Sequence, residues 1–94
     1  MPRDHEMALV RVTGRVQGVG FRAWTRGEAV RLGLTGWVRN EPDGSVLTLL
    51  VGRGEAVAQM IQRLRIGPRG AAVSGTERLQ PEAGDIPQGF AITR

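Results

Sequence analysis

A glycine-rich segment is the first part of this sequence whose residue types and spacing could do chemistry. Residues 14–20 read Gly-Arg-Val-Gln-Gly-Val-Gly, between a predicted strand and a predicted helix. Glycines let a backbone turn tightly or approach a bound group closely. The N–H groups and the dipole at the start of the helix would together attract an anion. On glycine content alone, a loop that simply connects two elements is the better explanation. A second observation is needed before the segment predicts an anion site.

Arg22 supplies that observation. A cation in the first turn of a helix opposes the helix dipole, at a cost of about 0.3–1 kcal/mol at an exposed site. An anion held by the loop amides and the guanidinium would offset this cost, since the planar fork of arginine matches phosphate oxygens. The alternative is a solvated arginine whose placement is simply tolerated.

Asn40 is the only asparagine in the chain and directly precedes the turn sequence Glu-Pro-Asp-Gly at 41–44. On local grounds turn chemistry explains it, and spacing alone does not place it opposite Arg22. The chain has one histidine, His5, and no cysteine, which excludes thiolate nucleophiles and cysteine metal sites. No strong general base and no metal site are therefore predicted.

Hydrophobic periodicity and turn residues predict the elements that must position these residues. Their order is strand, helix, strand, strand, helix, strand, with a short closing strand after it. This order predicts an α+β fold, the ferredoxin-like split βαβ (βαββαβ) sandwich, with two helices on one face of an antiparallel sheet. The predicted strands are 7–13, 34–40, 45–51, 71–79 and 90–92, and the predicted helices are 21–32 and 55–66.

The same periodicity predicts which side chains form the core. Phe21 and Trp24 should cover the sheet from the first helix, and Trp37 is interpreted as a core residue of the second strand. The second helix should contribute Val57, Met60, Ile61 and Leu64.

Length and composition predict a single domain. The chain has 94 residues and 10.2 kDa, with 40% hydrophobic and 23% charged residues, which is typical of a chain that folds alone. We expect residues 1–6 to form a flexible N-terminal tail and residues 7–94 to form the domain. No apolar run long enough for a signal peptide or a membrane span is found, so we expect a cytoplasmic protein with no membrane partner.

The charge balance favours small anions rather than nucleic acid. All 13 basic residues are arginines, and against 9 acidic residues they give a net charge of +4. This charge is modest and dispersed along the chain. The same element order also occurs in RNA-binding modules, but the segments 7–13 and 45–51 lack the aromatic residues on which bases would stack.

Together, the stretches 14–22, 36–40 and 43–46 resemble the two signature segments of the acylphosphatase family. The later stretches 67–73 and 89–92 also fit the family pattern. The resemblance extends over essentially the whole chain after residue 6.

The resemblance implies hydrolysis of the carboxyl–phosphate bond of acyl phosphates to a carboxylate and inorganic phosphate, with no metal and no cofactor. Arg22 would bind the phosphoryl group and Asn40 would position the attacking water. The phosphate-binding loop would comprise Arg15, Val16, Gln17, Gly18, Val19 and Gly20. The expected partners are the acyl phosphate and inorganic phosphate, and we expect a monomer. The alternative is a non-catalytic regulatory domain that binds a small anion in the same loop. Such a domain would need Arg22 but not Asn40.

Overall fold

Five strands and two helices make up the part of the chain that the computed structural model describes, residues 5–82, 84 and 87–93. In chain order they are β1 (Glu6–Arg15), α1 (Phe21–Arg31), β2 (Thr35–Asn40), β3 (Val46–Gly52), α2 (Gly54–Ile66), β4 (Ala72–Leu79) and β5 (Phe90–Ile92). Each agrees with a predicted element to within a few residues. Residues 1–4 of the predicted tail lie outside the described residues, and β1 already includes Glu6.

The strands form one sheet in the order β4-β1-β3-β2-β5. Strand β3 is antiparallel to both β1 and β2, and β4 is antiparallel to β1. The predicted ferredoxin-like α+β fold is confirmed, with one correction to the sheet: β5 pairs with β2 in parallel. Because β4 runs opposite to β2, the chain leaves β4 at the end of the sheet where β2 starts. A strand that begins there at the β2 edge runs in the same direction as β2.

Both helices cover the same face of the sheet. The strand register places Val10 and Val38 on either side of Thr48, and all three side chains are buried beneath the helices. Trp24 and Ile61 are partly buried against this core. Neither helix in the described ranges is long and apolar enough to cross a membrane. The helices contribute the buried residues Phe21, Thr25, Ala29, Ala56, Val57, Met60 and Leu64.

Trp37 is not a residue of this core. Side chains alternate between the two faces of a strand, so the burial of Val38 beneath the helices directs Trp37 to the opposite face. There it is partly buried next to Leu49, and the Arg39 guanidinium lies 4.6 Å from the centre of the indole ring. The interpretation of Trp37 as a core residue is therefore corrected by the register of β2.

We predict that Gly36→Ala destabilises the fold strongly. Gly36 has a φ of +141°, and a Cβ built there would lie 1.9 Å from the backbone oxygen of Leu49. Strain and displacement of β3 should lower the free energy of unfolding by about 2 kcal/mol or more. Equilibrium unfolding in urea measures this change.

Gly27→Ala is the matched control, because Gly27 lies inside α1 and a Cβ there would have no heavy atom within 4 Å. This variant should gain about 0.5–1 kcal/mol from the better helix propensity of alanine. Equal urea midpoints for the parent and Gly36→Ala would contradict the close approach of β2 and β3.

Candidate active site

The candidate site lies where three strands end at the same side of the sheet. Since β1 and β2 are both antiparallel to β3, they run parallel to each other, and β5 is parallel to β2. Their C-terminal ends therefore meet at one end of the sheet. The glycine-rich loop follows β1, Asn40 is the last residue of β2, and Ile92 is the last residue of β5.

A depression of about 240 Å³ opens at this end of the sheet. It brings together Arg22, Asn40 and part of the predicted loop, as the family motifs led us to expect. Both side chains are partly buried, so each can contact a bound group while remaining accessible to solvent. The depression is lined by Val16, Gly18, Gly20, Phe21, Arg22, Ala23, Asn40 and Ile92.

The loop backbone needs glycine for its conformation. Gly18 and Gly20 have φ values of 76° and 77°, in the left-handed region that side chains disfavour. A Cβ at either position would meet no heavy atom within 4 Å, so space does not impose the requirement. The two left-handed residues turn the chain from β1 into α1, and the side of the loop that lines the depression carries no Cβ at these positions.

The start of α1 provides a positive electrostatic environment. The helix begins at Phe21 with Gly20 as its N-cap, and no side chain among the described residues caps it. The N–H groups of a first helical turn have no acceptor within the helix. The first turn contains no acidic residue, and Arg22 is the one charged side chain among the described residues that line the depression. Charge and dipole therefore favour an anion there.

The remaining predicted loop residues do not line the depression. Arg15 is exposed and pairs with Ala72 in the sheet, and Val19 is partly buried against the core. Gln17 is partly buried, and its side chain points to the turn between β2 and β3. There its Nε2 donates to the backbone oxygens of Glu41 and Ser45, each at 2.9 Å.

The sequence reasoning missed the contribution of β5. Ile92 forms part of the wall of the depression and is 43% exposed. The strand is held in place because Arg26 Nε donates to the Phe90 oxygen at 3.0 Å. Backbone bonds from Gly36 N–H to the Gly89 oxygen and from Thr93 N–H to the Val38 oxygen extend the pairing. The apolar spacing of 90–92 predicted a strand but carried no information about its partner.

A larger depression, of about 530 Å³, lies on the helix-free face of the sheet and includes neither Arg22 nor Asn40. Two arginines line it, and each is paired with a carboxylate. Arg11 Nη1 lies 3.1 Å from Asp43 Oδ2, and Arg39 Nε lies 3.0 Å from Glu41 Oε2. These ion pairs reduce the attraction of this larger depression for an anion.

Asp43 stabilises the turn that follows Asn40. Its carboxylate accepts hydrogen bonds from the Ser45 hydroxyl at 2.6 Å and from the Ser45 backbone N–H at 2.9 Å. These two bonds, the hydroxyl first, together with Arg11, hold the pKa of Asp43 below its usual value of 3.8. The ionised carboxylate therefore ties the turn to Ser45, directly before β3, and to Arg11 of β1.

Comparisons with known proteins agree with this architecture. A family model described as Acylphosphatase matches residues 8–92. The chain is 58% identical over 91 residues to an acylphosphatase of Rhizobium etli, and the match covers 96% of this chain and 97% of that protein. The resemblance predicted from the motifs is therefore confirmed over nearly the whole chain.

Two solved structures have the same fold. An acylphosphatase from Coxiella burnetii superposes with a TM-score of 0.88 at 33% identity and covers 96% of this chain and 94% of its own. An acylphosphatase from Bacillus subtilis superposes with a TM-score of 0.87 at 30% identity, covering 100% of both chains.

We predict that Asp43→Asn removes part of the acid sensitivity of folding. Because the pKa of Asp43 is lower in the folded chain, its ionised form stabilises folding above pH 3.8, its usual value. That contribution is lost as the pH falls through the folded-state pKa. Urea unfolding at a series of pH values should show the parent losing stability more steeply than the variant. Parallel curves for the two proteins would contradict the prediction.

Proposed function

Since this chain belongs to the acylphosphatase family of hydrolases acting on acid anhydrides, we propose that it hydrolyses the carboxyl–phosphate bond of acyl phosphates. The products are a carboxylate and inorganic phosphate. The observation that supports this proposal is the shared depression of Arg22, Asn40 and the glycine loop. We also propose that turnover needs no metal, as the family resemblance implies, and that the enzyme works as a cytoplasmic monomer.

Phosphoryl binding is assigned to Arg22 and to backbone N–H groups of the predicted loop, residues 15–20. Of these loop residues, Val16, Gly18 and Gly20 line the depression. The guanidinium presents a planar set of donors that matches two phosphate oxygens. The loop N–H groups and the dipole of α1 would stabilise the charge on the remaining oxygens. The left-handed conformations of Gly18 and Gly20 fix the loop backbone, and donors that are preorganised contribute most to stabilising a transition state.

Water positioning is assigned to Asn40. A carboxamide carries both a donor and an acceptor, so it can orient a water molecule without taking its proton. Asn40 lines the same depression as Arg22, which supports a role for it beside the phosphoryl group that Arg22 would hold. Catalysis of phosphoryl transfer depends mainly on positioning of the reactants and on charge stabilisation. In this proposal Asn40 positions the water and Arg22 stabilises the charge.

We assign the role of base to the substrate: an oxygen of its own phosphate accepts the proton of the attacking water. Among the described residues that line the depression, none is a carboxylate or a histidine. Glu41 and Asp43, the acidic residues nearest to Asn40 in the sequence, are paired with Arg39 and Arg11. An acyl phosphate has a good leaving group, so its hydrolysis tolerates a weak base.

A regulatory domain that binds a small anion without turnover is the second candidate. It is favoured only by features that the two functions share, namely the loop and Arg22. Asn40 discriminates between them, because anion binding alone does not require a group that positions water. Turnover of a model acyl phosphate decides between the two functions.

We predict that Asn40→Ala lowers turnover by about 10²–10³, as expected when one group that acts in the transition state is lost. Hydrolysis of benzoyl phosphate with a chelator present measures this, with circular dichroism to verify folding. Inhibition by inorganic phosphate should stay close to the parent's.

Arg22→Gln is the paired variant and should mainly weaken inhibition by inorganic phosphate and raise KM, because it removes the charge that binds the phosphoryl group. Equal losses of affinity and rate in both variants would contradict the separate roles. A folded parent with no turnover but with phosphate binding would favour the regulatory domain.

We further predict that Glu41→Gln and Asp43→Asn retain turnover within about twofold of the parent, since neither carboxylate is assigned as a base. The measurement is kcat for benzoyl phosphate at neutral pH. A large drop in kcat in either variant, with unchanged folding, would refute proton transfer to the substrate phosphate.

A further inference from the structure

Gln17 joins the two halves of the candidate site. The residues on either side of it, Val16 and Gly18, line the depression from the loop. Its own side chain leaves the depression and bonds to Glu41 and Ser45, at the end of the hairpin that carries Asn40. These bonds link the proposed phosphate-binding loop to Glu41, the residue that directly follows Asn40.

The two acceptors are the carbonyls that close the turn between β2 and β3. The Glu41 oxygen also accepts from the Gly44 N–H at 3.1 Å, and the Ser45 oxygen accepts from the Glu41 N–H at 2.9 Å. Glu41 directly follows Asn40, and Asn40 pairs with Val46 in the sheet. The two bonds from the Gln17 amide to these carbonyls therefore connect the loop to the end of β2, where Asn40 lies.

The geometry uses a property that few side chains have. The amide nitrogen of glutamine carries two hydrogens in one plane, so it can donate to two carbonyl oxygens at once. A glutamate of the same shape would place carboxylate oxygens against these carbonyl oxygens. A methionine of similar length would keep the packing but offer no donor.

We propose that Gln17 is a positioning residue whose side-chain amide sets the placement of Asn40 relative to the bound phosphoryl group. This inference rests on the proposed hydrolysis and on the role assigned there to Asn40. Gln17 itself does not line the depression, so it acts through Asn40 rather than on the substrate. A displacement of about 1 Å in a reacting pair is enough to lower a rate substantially.

Contacts other than the Gln17 side-chain bonds hold the loop in place. A change at Gln17 can therefore affect turnover without affecting phosphate binding. Val16, inside the glycine-rich segment, and Phe21, directly after it, are 1% and 2% exposed and belong to the core. Arg22 is carried by α1, which Arg26 links to β5. Loss of the Gln17 bonds should therefore affect Asn40 more than it affects phosphate binding.

The experiment is a double-mutant cycle in kcat for benzoyl phosphate, with parent, Gln17→Glu, Asn40→Ala and the double variant. KM and the inhibition constant for inorganic phosphate should stay within about threefold of the parent's in Gln17→Met, which adds no charge that would repel phosphate. We expect Gln17→Glu to lower kcat about tenfold or more. In the Asn40→Ala background the same change should lower kcat by less than about twofold, because the group that it positions is already gone.

Gln62→Glu is the matched control, since Gln62 is exposed on α2 and the change adds the same charge away from the site. It should retain the kcat of the parent. Gln17→Met repeats the test without an added charge and replaces Gln17→Glu in the cycle if the latter does not fold.

Three results would overturn the inference: a parent-like kcat in Gln17→Glu or Gln17→Met, additive effects in the cycle, or an inhibition constant that rises in Gln17→Met as much as kcat falls. Additivity would show that Gln17 affects the rate independently of Asn40. A parent without turnover would refute the proposed hydrolysis and this inference together. The parent rate and the effect of Asn40→Ala alone therefore distinguish failure of the function from failure of the role of Gln17.

Discussion

The pairing of β3 with both β1 and β2 is the interaction on which the rest of the site depends. Because β3 is antiparallel to each neighbour, it forces two strands that are far apart in sequence to point the same way. The loop after β1 and Asn40 at the end of β2 are thereby placed side by side. Helix α1 starts from the same end, and β5 adds Ile92 to it. The candidate site is a consequence of strand direction before any side chain is considered.

The site also has features that work against stability. Gly18 and Gly20 hold the backbone in the left-handed region, where glycine loses more conformational freedom on folding than other residues. Arg22 opposes the dipole at the start of α1. The buried neighbours Val16 and Phe21 offset these costs by fixing the loop to the core. This combination, a rigid core beneath a backbone suited to an anion, is typical of sites that trade stability for preorganised binding.

Features set by residues close together in the sequence could be predicted, whereas features set by contacts between distant segments could not. The glycine loop and Arg22 were identified from the sequence because turn conformation and helix start are local properties. Asn40 looked like ordinary turn chemistry until the family resemblance was considered, since its position opposite the loop depends on pairing through β3. The face occupied by Trp37 depends on the register of β2. The parallel placement of β5 and the bonds of Gln17 to the hairpin were not predictable, because they join segments far apart in the chain.

The strand order also has a consequence for how the molecule folds. In the described part of the chain, β2 and β3 form the one hairpin, whereas Glu6 pairs with Gly52 and Leu9 pairs with Leu79. Contacts between residues so distant in sequence close long loops, and closing these loops costs conformational entropy. The chain loses this entropy before the stabilising contacts between the strands have formed, which raises the barrier to folding. Such a topology folds slowly for its size. The site, which is assembled from the ends of three of these strands, exists only once the whole sheet has formed.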